Sequence, residues 1–321
     1  MKRKAILFLP LLVLLAATTV VMSAAPRLTL PNAKWVAWKV PTATDVKICS
    51  GGWNHRGSCC GWGDDQQGFS INDEPGSGTM TLAARVNGGT IEKIRMFDGS
   101  CDISRKDGTL VWMQNVDPES SLDLLEEQID RADADSRGII TAMAQHAGSS
   151  VEPRLEKIAD SRRDEDVREQ AIFWIGQRGG ERGYQYLTKF IRSNDDESLL
   201  DKAVFSLSQS SASGAMGSLI DFARHHKSSE VREKALFWLG QKAGEKAASE
   251  LRRAVDEDPD DDVREKAVFA ISQLPPERSV PMLIDLVKNH KSPNVRKKAM
   301  FWLTQTGDPR ALDLIEQIVL H

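Results

Sequence analysis

The sequence predicts a mainly α-helical protein: an α-solenoid of 32-residue helix pairs, preceded by a small, mainly β, disulfide-bonded domain. Three observations predict it. The first is a phrase repeated at constant spacing: VREQAIFWIGQ from Val167, LLDKAVFSLSQ from Leu199, VREKALFWLGQ from Val231, VREKAVFAISQ from Val263 and VRKKAMFWLTQ from Val295. Each step is 32 residues, without insertion or deletion. The second is another apolar series, Leu155, Leu187, Leu219, Leu251, Leu283 and Ile315, with the same period. The third is a change of composition: all four cysteines and five tryptophans lie between residues 26 and 117. A fixed period of this size marks units that bury their apolar faces against their neighbours.

Residues 1–25 are expected to form a signal peptide. "MKRK" precedes the apolar run "AILFLPLLVLLAA" and the small-residue stretch "MSAAP", with cleavage expected near Ala24 or Ala25. The alternative is an uncleaved N-terminal anchor, but the run is short for a span and contains Pro10. Loss of Lys2, Arg3 and Lys4, with no acid, takes the formal charge from −4 to −7. Acids and bases interleave along the rest, which points away from nucleic acid, and no other apolar run is long enough for a bilayer. The expectation is an exported protein, periplasmic or secreted, and monomeric.

Residues 26–116 read as strands. KWVAWKV and DVKIC alternate, TMTLAARV and TIEKIRMF flank the turn signal Asn87-Gly88-Gly89, and TLVWMQ is a further strand. A Gly-rich loop, GGWNHRGSCCGWGDD, lies between them. In an exported chain, an even cysteine count favours disulfides. Cys59 and Cys60 are adjacent, a geometry that strains a bridge between them, so they are expected to pair with Cys49 and Cys101 in an order left open. The competing reading is a metal or redox site using His55; it lacks a CxxC motif.

From residue 117 the units hold two helices each. Asp164, Asp196, Ser228, Asp260 and Ser292 are N-cap residues of the second helix. Counting from the first residue of each phrase as zero, the residues at offsets 0, 4 and 8 form one apolar stripe, as in Val231, Ala235 and Leu239. The pattern D-x-x-VR-x-x-A, with GDPRALDLIEQ from Gly307, resembles HEAT repeats, most nearly the short-unit, PBS-lyase-like kind. The resemblance covers residues 150–321; residues 117–148 fit as a degenerate leading unit with Asp135 in place of the apolar residue, and the last helix is a half-unit. A cysteine-bearing front domain followed by such units is similar to exported bacterial HEAT-repeat proteins.

Which letters face outward decides the function. Trp174, Trp238 and Trp302 hold offset 7 in alternate units, with Ser206 and Ala270 in the others, a large-small alternation that suits packing and a 64-residue double unit. Phe173, Phe205, Phe237, Phe269 and Phe301 at offset 6 point away from the stripe, with Gln177, Gln209, Gln241, Gln273 and Gln305 four residues on. The resemblance places second helices on the concave face. There the Phe and Gln ladders, rimmed by Lys202, Lys234, Lys266 and Lys298, make a protein- or peptide-binding strip. The other reading is that each Phe wedges half-buried between second helices. Arg168, Arg232, Arg264 and Arg296 are expected to bridge to Asp164, Asp196 and Asp260, and DEDPDDD from Asp256 to be a solvated turn. His226 and His290 share an offset at the end of the first helix, where a cationic ring suits the dipole.

Short HEAT units also occur in bilin lyases and in the di-iron deoxyhypusine hydroxylase, whose family holds iron with His-Glu pairs. No histidine here is followed by Glu. The sequence therefore reads as a noncatalytic interaction scaffold of the bacterial cell envelope, with no cofactor, no metal and an unidentified protein or peptide partner. The alternative is an enzyme or enzyme-accessory protein, bilin lyase-like or oxidoreductase, or a redox or metal function in the front domain.

Overall fold

The computed structural model describes residues 27–43, 46–50, 69–75, 77–105, 108–242 and 244–319. Among the described residues, six strands form one sheet: β1 (Trp35–Pro41), β2 (Val46–Ser50), β3 (Phe69–Pro75), β4 (Thr79–Asn87), β5 (Thr90–Asp98) and β6 (Leu110–Trp112). Their order is β3-β2-β5-β4-β1-β6, antiparallel throughout except for the β1–β6 edge. Gly88 and Gly89, both at positive φ, close the β4–β5 hairpin beside the Asn87–Thr90 pair. β3 was not expected from the sequence. Its FSINDEP carries apolar residues only at its start, and the acids and Pro75 suit an edge strand without giving a two-residue period.

Thirteen helices follow among the described residues: α1 (Pro118–Gln128), α2 (Ser136–Gln145), α3 (Val151–Ala159), α4 (Glu165–Arg178), α5 (Gly180–Ser193), α6 (Glu197–Gln209), α7 (Ala215–His225), α8 (Ser229–Gln241), α9 (Glu245–Glu257), α10 (Asp261–Ser272), α11 (Pro276–Asn289), α12 (Pro293–Gln305) and α13 (Pro309–Val319). All five expected N-cap residues occupy that position. The side chains of Asp196, Ser228, Asp260 and Ser292 accept backbone N–H groups of the first turn, while Asp164 makes no such bond. Every residue of the 0, 4, 8 stripe is buried, and Ile172, Val204, Leu236 and Val268 at offset 5 widen it. The second helices, α2 to α12, pack one against the next more extensively than the first helices do. The stack is therefore shorter on the second-helix side, which is its concave face.

The turns depart from expectation in an instructive way. Arg232 forks onto Asp258 of the next unit, at 3.0 and 3.1 Å, and its Nη1 donates to the His226 carbonyl at 3.0 Å. Both partners of this pair are buried. Arg296 donates to the His290 carbonyl at 2.7 Å, Arg264 to the Asp258 carbonyl, and Arg168 to the Ala159 carbonyl at 3.0 Å. These arginines thus satisfy the open carbonyls at the end of their own first helix. Of the N-cap acids expected as inter-unit partners, Asp196 lies 3.8 Å from Arg168, whereas Arg232 takes Asp258. The acidic turn is accordingly not wholly solvated. His226 and His290 are also buried, and each Nδ1 accepts a backbone N–H, from Ser228 and Ser292. Each ring thus closes the turn between its first and second helix.

The sheet and the solenoid share one core. Val36, Trp38, Val40, Met80, Leu82 and Met96 pack with Leu122, Leu125, Ile139, Ile140 and Met143, and the cluster continues through the repeats. Asp135 fixes the junction. Its carboxylate caps α2 by accepting from Gly138 at 3.0 Å and also accepts the Ile94 N–H of β5 at 3.1 Å, while its own N–H donates to Ile91. Beside it, Trp38 Nε1 donates to Ser121 Oγ at 2.8 Å, and that hydroxyl lies 3.0 Å from His146 Nε2. His146 Nδ1 is 2.8 Å from the Ala142 carbonyl, and burial pushes the imidazole down to about 4.

Candidate functional site

The five Phe residues form a row along the concave face because the 32-residue period repeats their offset on every second helix. Phe173, Phe205, Phe237 and Phe269 are half-buried, and Phe301 is 52% exposed. Their rings touch neighbouring rings in two alternating ways. Phe173 stacks on Phe205 and Phe237 on Phe269, each pair with centroids 6.2 Å apart. Between those pairs, a Trp of the following unit takes the contact: Phe205 to Trp238 at 4.9 Å and Phe269 to Trp302 at 4.8 Å. Each Trp also meets its sequence neighbour edge-on, Phe173–Trp174 at 5.2 Å, Phe237–Trp238 at 4.9 Å and Phe301–Trp302 at 5.0 Å.

The alternation has a cause in the backbone. Where Phe stacks on Phe, a glycine at offset 9 lets the two helices approach closely. A Cβ on Gly176 would lie 2.6 Å from Ser206 Cβ and 2.7 Å from its carbonyl oxygen; one on Gly240 would lie 3.0 Å from the Ala270 carbonyl oxygen. Where a Trp intervenes, the second helices stand further apart. The 64-residue double unit expected from the sequence is therefore a real alternation of close and wide junctions.

The polar residues of the strip are ordered as well. All five predicted glutamines are exposed. The hydroxyls of Ser208, Ser272 and Thr304 donate to the carbonyls of Phe205, Phe269 and Phe301, and Gln209, Gln273 and Gln305 donate to those hydroxyls at 3.0, 3.1 and 3.4 Å. Three of the four rim lysines pair with acids of the preceding unit: Lys202–Glu169 at 3.3 Å, Lys234–Asp201 at 3.1 Å and Lys298–Glu265 at 2.9 Å. At the start of α6 and α8 a hydrogen bond that the protonated Glu230 carboxyl donates to Glu197, ahead of desolvation, holds Glu230 above its usual range.

Two contributors to this surface were not read from the sequence as such. Trp238 and Trp302 were expected to lock units together; they do, but both are half-buried and floor the space between two Phe rings. The signal was present in the adjacency of offsets 6 and 7. At the other end, Thr141 stands at the Phe offset of the leading unit and accepts from Trp174 Nε1 at 3.2 Å, so the aromatic row stops there.

Of the predicted cysteines, Cys101 is buried with Trp35, Ala37, Ala83, Phe97 and Ile103 on the outer face of the sheet. Cys49 lies on β2 in register with Phe97. Cys59, Cys60 and His55 lie outside the described residues. Among the described residues no group of three or more His, Cys, Asp or Glu converges as a metal site, and no helix is long and apolar enough to cross a membrane.

Comparison with known proteins agrees with this architecture. A family profile of HEAT repeats matches residues 216–288 and 254–321, so the C-terminal part of the solenoid carries HEAT repeats. No curated protein matches the chain. Among solved structures, the chain is similar to the Escherichia coli protein YibA, at 21% identity over 58% of this chain and 68% of that one, with a TM-score of 0.38. It is also similar to human deoxyhypusine hydroxylase, at 17% identity over 62% of this chain and 77% of that one, with a TM-score of 0.28. A third likeness is to the CpcE–CpcF complex of phycocyanin lyase from Nostoc sp. PCC7120, at 15% identity, 47% and 98% coverage, and a TM-score of 0.37. Likenesses this distant carry no argument about activity.

Proposed function

We propose that the protein is a noncatalytic interaction scaffold of the bacterial cell envelope, and that the second-helix face captures a segment of another protein. The observation that carries this reading is the run of part-exposed aromatic rings from Phe173 to Phe301. Their outer faces remain in contact with water, and contiguous exposed apolar surface on a soluble face marks an interaction site. Export is supported by the basic, apolar and small-residue order of residues 1–25. Disulfides in the front domain are supported by the burial of Cys101 beside the β-sheet position that faces Cys49. A thiol count on the exported, non-reduced chain tests that part: four reactive thiols would contradict it.

The test of capture is an affinity pull-down from envelope extract, with the full-length chain and with Phe237→Ser plus Phe301→Ser. Phe301 is largely exposed and Phe237 half-buried, so the variant is expected to keep its helical circular dichroism and lose the bound partner. A folded variant that retains the same partner at the same yield would refute the reading.

A further inference from the structure

The second-helix face carries its chemistry in parallel lanes. Counted from the first residue of each phrase, offsets −1, 2, 3, 6 and 10 fall on one side of a helix with about 3.6 residues per turn. Offset 6 holds the Phe row and offset 10 the exposed glutamines. Offsets −1, 2 and 3, in the N-terminal half of each helix, hold the charges. In the units starting at Val167, Leu199, Val231 and Val263 these are Asp166, Glu169, Asp201, Glu230, Glu233, Asp262 and Glu265, against Lys202, Lys234 and Lys266. The arginines at offset 1 do not redress the balance, because Arg168, Arg232 and Arg264 are spent on carbonyls of their own turns. The lane beside the first four Phe rings is therefore acidic. Only in the last unit, with Lys297 and Lys298, does it become basic.

The excess negative charge gathers between α6 and α10. Asp166 pairs with Arg137 at 3.0 Å, and Glu169, Asp201 and Glu265 pair with Lys202, Lys234 and Lys298. That leaves Glu230, Glu233 and Asp262 with one lysine, Lys266, which pairs directly with no carboxylate among the described residues and acts on Glu233 through space. The crowding is felt by the carboxyls themselves. A helix N-terminus ordinarily favours an ionised carboxylate, yet Glu230, in the first turn of α8, is held up by its hydrogen bond to Glu197. Glu233 is held up by desolvation, with Asp262, Asp260 and Glu230 adding to it and Lys266 opposing.

A pocket of about 300 Å³ opens between α6 and α8 at this point, lined by Glu197, Leu200, Asp201, Glu230, Val231 and Lys234 among others. Leu200 and Val231 are buried and make an apolar floor, while Glu197, Asp201 and Glu230 are exposed. That build suits a lysine or arginine from another chain, whose methylene stem lies on apolar surface while its charge meets carboxylates. Further along the same helices, the part-exposed Phe rings suit apolar side chains of the same visitor. Charge complementarity and the apolar row thus point to one occupant.

Resting on the capture reading above, we propose that the second-helix face binds a basic amphipathic segment, its apolar side chains on Phe205, Phe237 and Phe269 and its cations against Glu197, Glu230, Glu233 and Asp262. The test titrates the full-length chain with an amphipathic peptide of leucine and lysine, its glutamine-for-lysine and glutamate-for-lysine counterparts, and oligolysine of the same charge, read by calorimetry at low and high salt. At low salt the leucine–lysine peptide is expected to bind about tenfold more tightly than the glutamine peptide, the combined effect of a few exposed charge pairs. High salt should erase that advantage. Glu230→Gln with Glu233→Gln should bring the two peptides to within about twofold of each other, and Lys266→Gln should widen the gap by about twofold. Oligolysine should bind more weakly than the leucine–lysine peptide, because it leaves the rings uncovered. Equal affinity of the lysine and glutamine peptides, tighter binding of the glutamate peptide or of oligolysine, an unchanged preference in the folded double variant, or no binding of any peptide would each overturn the proposal. If the charge preference fails while partner capture still depends on Phe237 and Phe301, the partner chemistry is wrong and the capture reading stands. If capture is also undiminished in the folded Phe variant, both fall.

Discussion

Replacing Gly176 by alanine tests the close junctions directly, because two opposing effects have to be weighed. In a helix interior, Gly→Ala alone stabilises by roughly 0.5–1 kcal/mol through backbone entropy. At Gly176 the new Cβ would sit 2.6 Å from Ser206 Cβ and 2.7 Å from its carbonyl oxygen, against an optimal separation of about 3.5–4.0 Å. Helices α4 and α6 must therefore separate by about 1 Å, and overpacking of this kind costs about 1–3 kcal/mol. The net expectation is a destabilisation of about 1–2 kcal/mol. Gly240→Ala, whose nearest contact is the Ala270 carbonyl oxygen at 3.0 Å, asks for a smaller shift and should come out near neutral. Gly217→Ala is the control: no atom lies within 4 Å, so it should stabilise. Urea unfolding followed by circular dichroism ranks the three, with amide exchange of α4 and α6 locating the loss. Should Gly176→Ala stabilise as much as Gly217→Ala, the close approach of α4 and α6 is wrong.

Two further predictions concern buried polar groups. Arg232→Met leaves Asp258 buried without its partner and is expected to lower stability by roughly 3–5 kcal/mol, with partial recovery on adding Asp258→Asn; a loss under about 1 kcal/mol, as for an exposed pair, would contradict the geometry. The His146 imidazole is held at about 4 by burial, below its ordinary 6.5, so between these pH values the unfolded chain binds a proton that the folded chain does not. Stability should fall as pH drops through that window, by up to about 3 kcal/mol. His146→Gln should flatten the thermal midpoint against pH over the same range; identical slopes for both proteins would remove His146 as the cause.

Much of the solenoid was legible because its determinants repeat. A cap residue, a Val, an Ala and a Leu or Ile at fixed offsets are each weak signals, yet the same period in five units leaves little choice of fold. The residues that the sequence misassigned are those whose partners lie in another unit or another domain. Asp258 reads as solvated until Arg232 of the preceding unit is placed beside it, and Asp135 reads as a decayed apolar position until β5 is brought to it. Nothing in one dimension shows that Ser228 and Ser292 donate to the rings of His226 and His290. β3 was missed because FSINDEP holds only two apolar residues, Phe69 and Ile71, too few to set a two-residue period.

The candidate site was half legible, and the physical division falls between offset 7 and offset 9. Trp at 7 and Gly at 9 occur together in the units starting at Val167 and Val231, on helices with one wide neighbour and one close neighbour. The Trp fills the wide side, towards the preceding unit, and the Gly permits the close side, towards the following one. In the unit starting at Val295, Trp302 again fills the wide side, but position 9 is Thr304, whose hydroxyl bonds the Phe301 carbonyl as Ser208 and Ser272 bond theirs. Among these five units glycine thus stands where another second helix comes close, and the Trp stands where the junction is wide. Phe301 is more than half exposed and meets Trp302 edge-on, as Phe237 meets Trp238. The Phe offset thus keeps one edge-on geometry toward its Trp whether the ring is half-buried, as at Phe237, or largely exposed, as at Phe301.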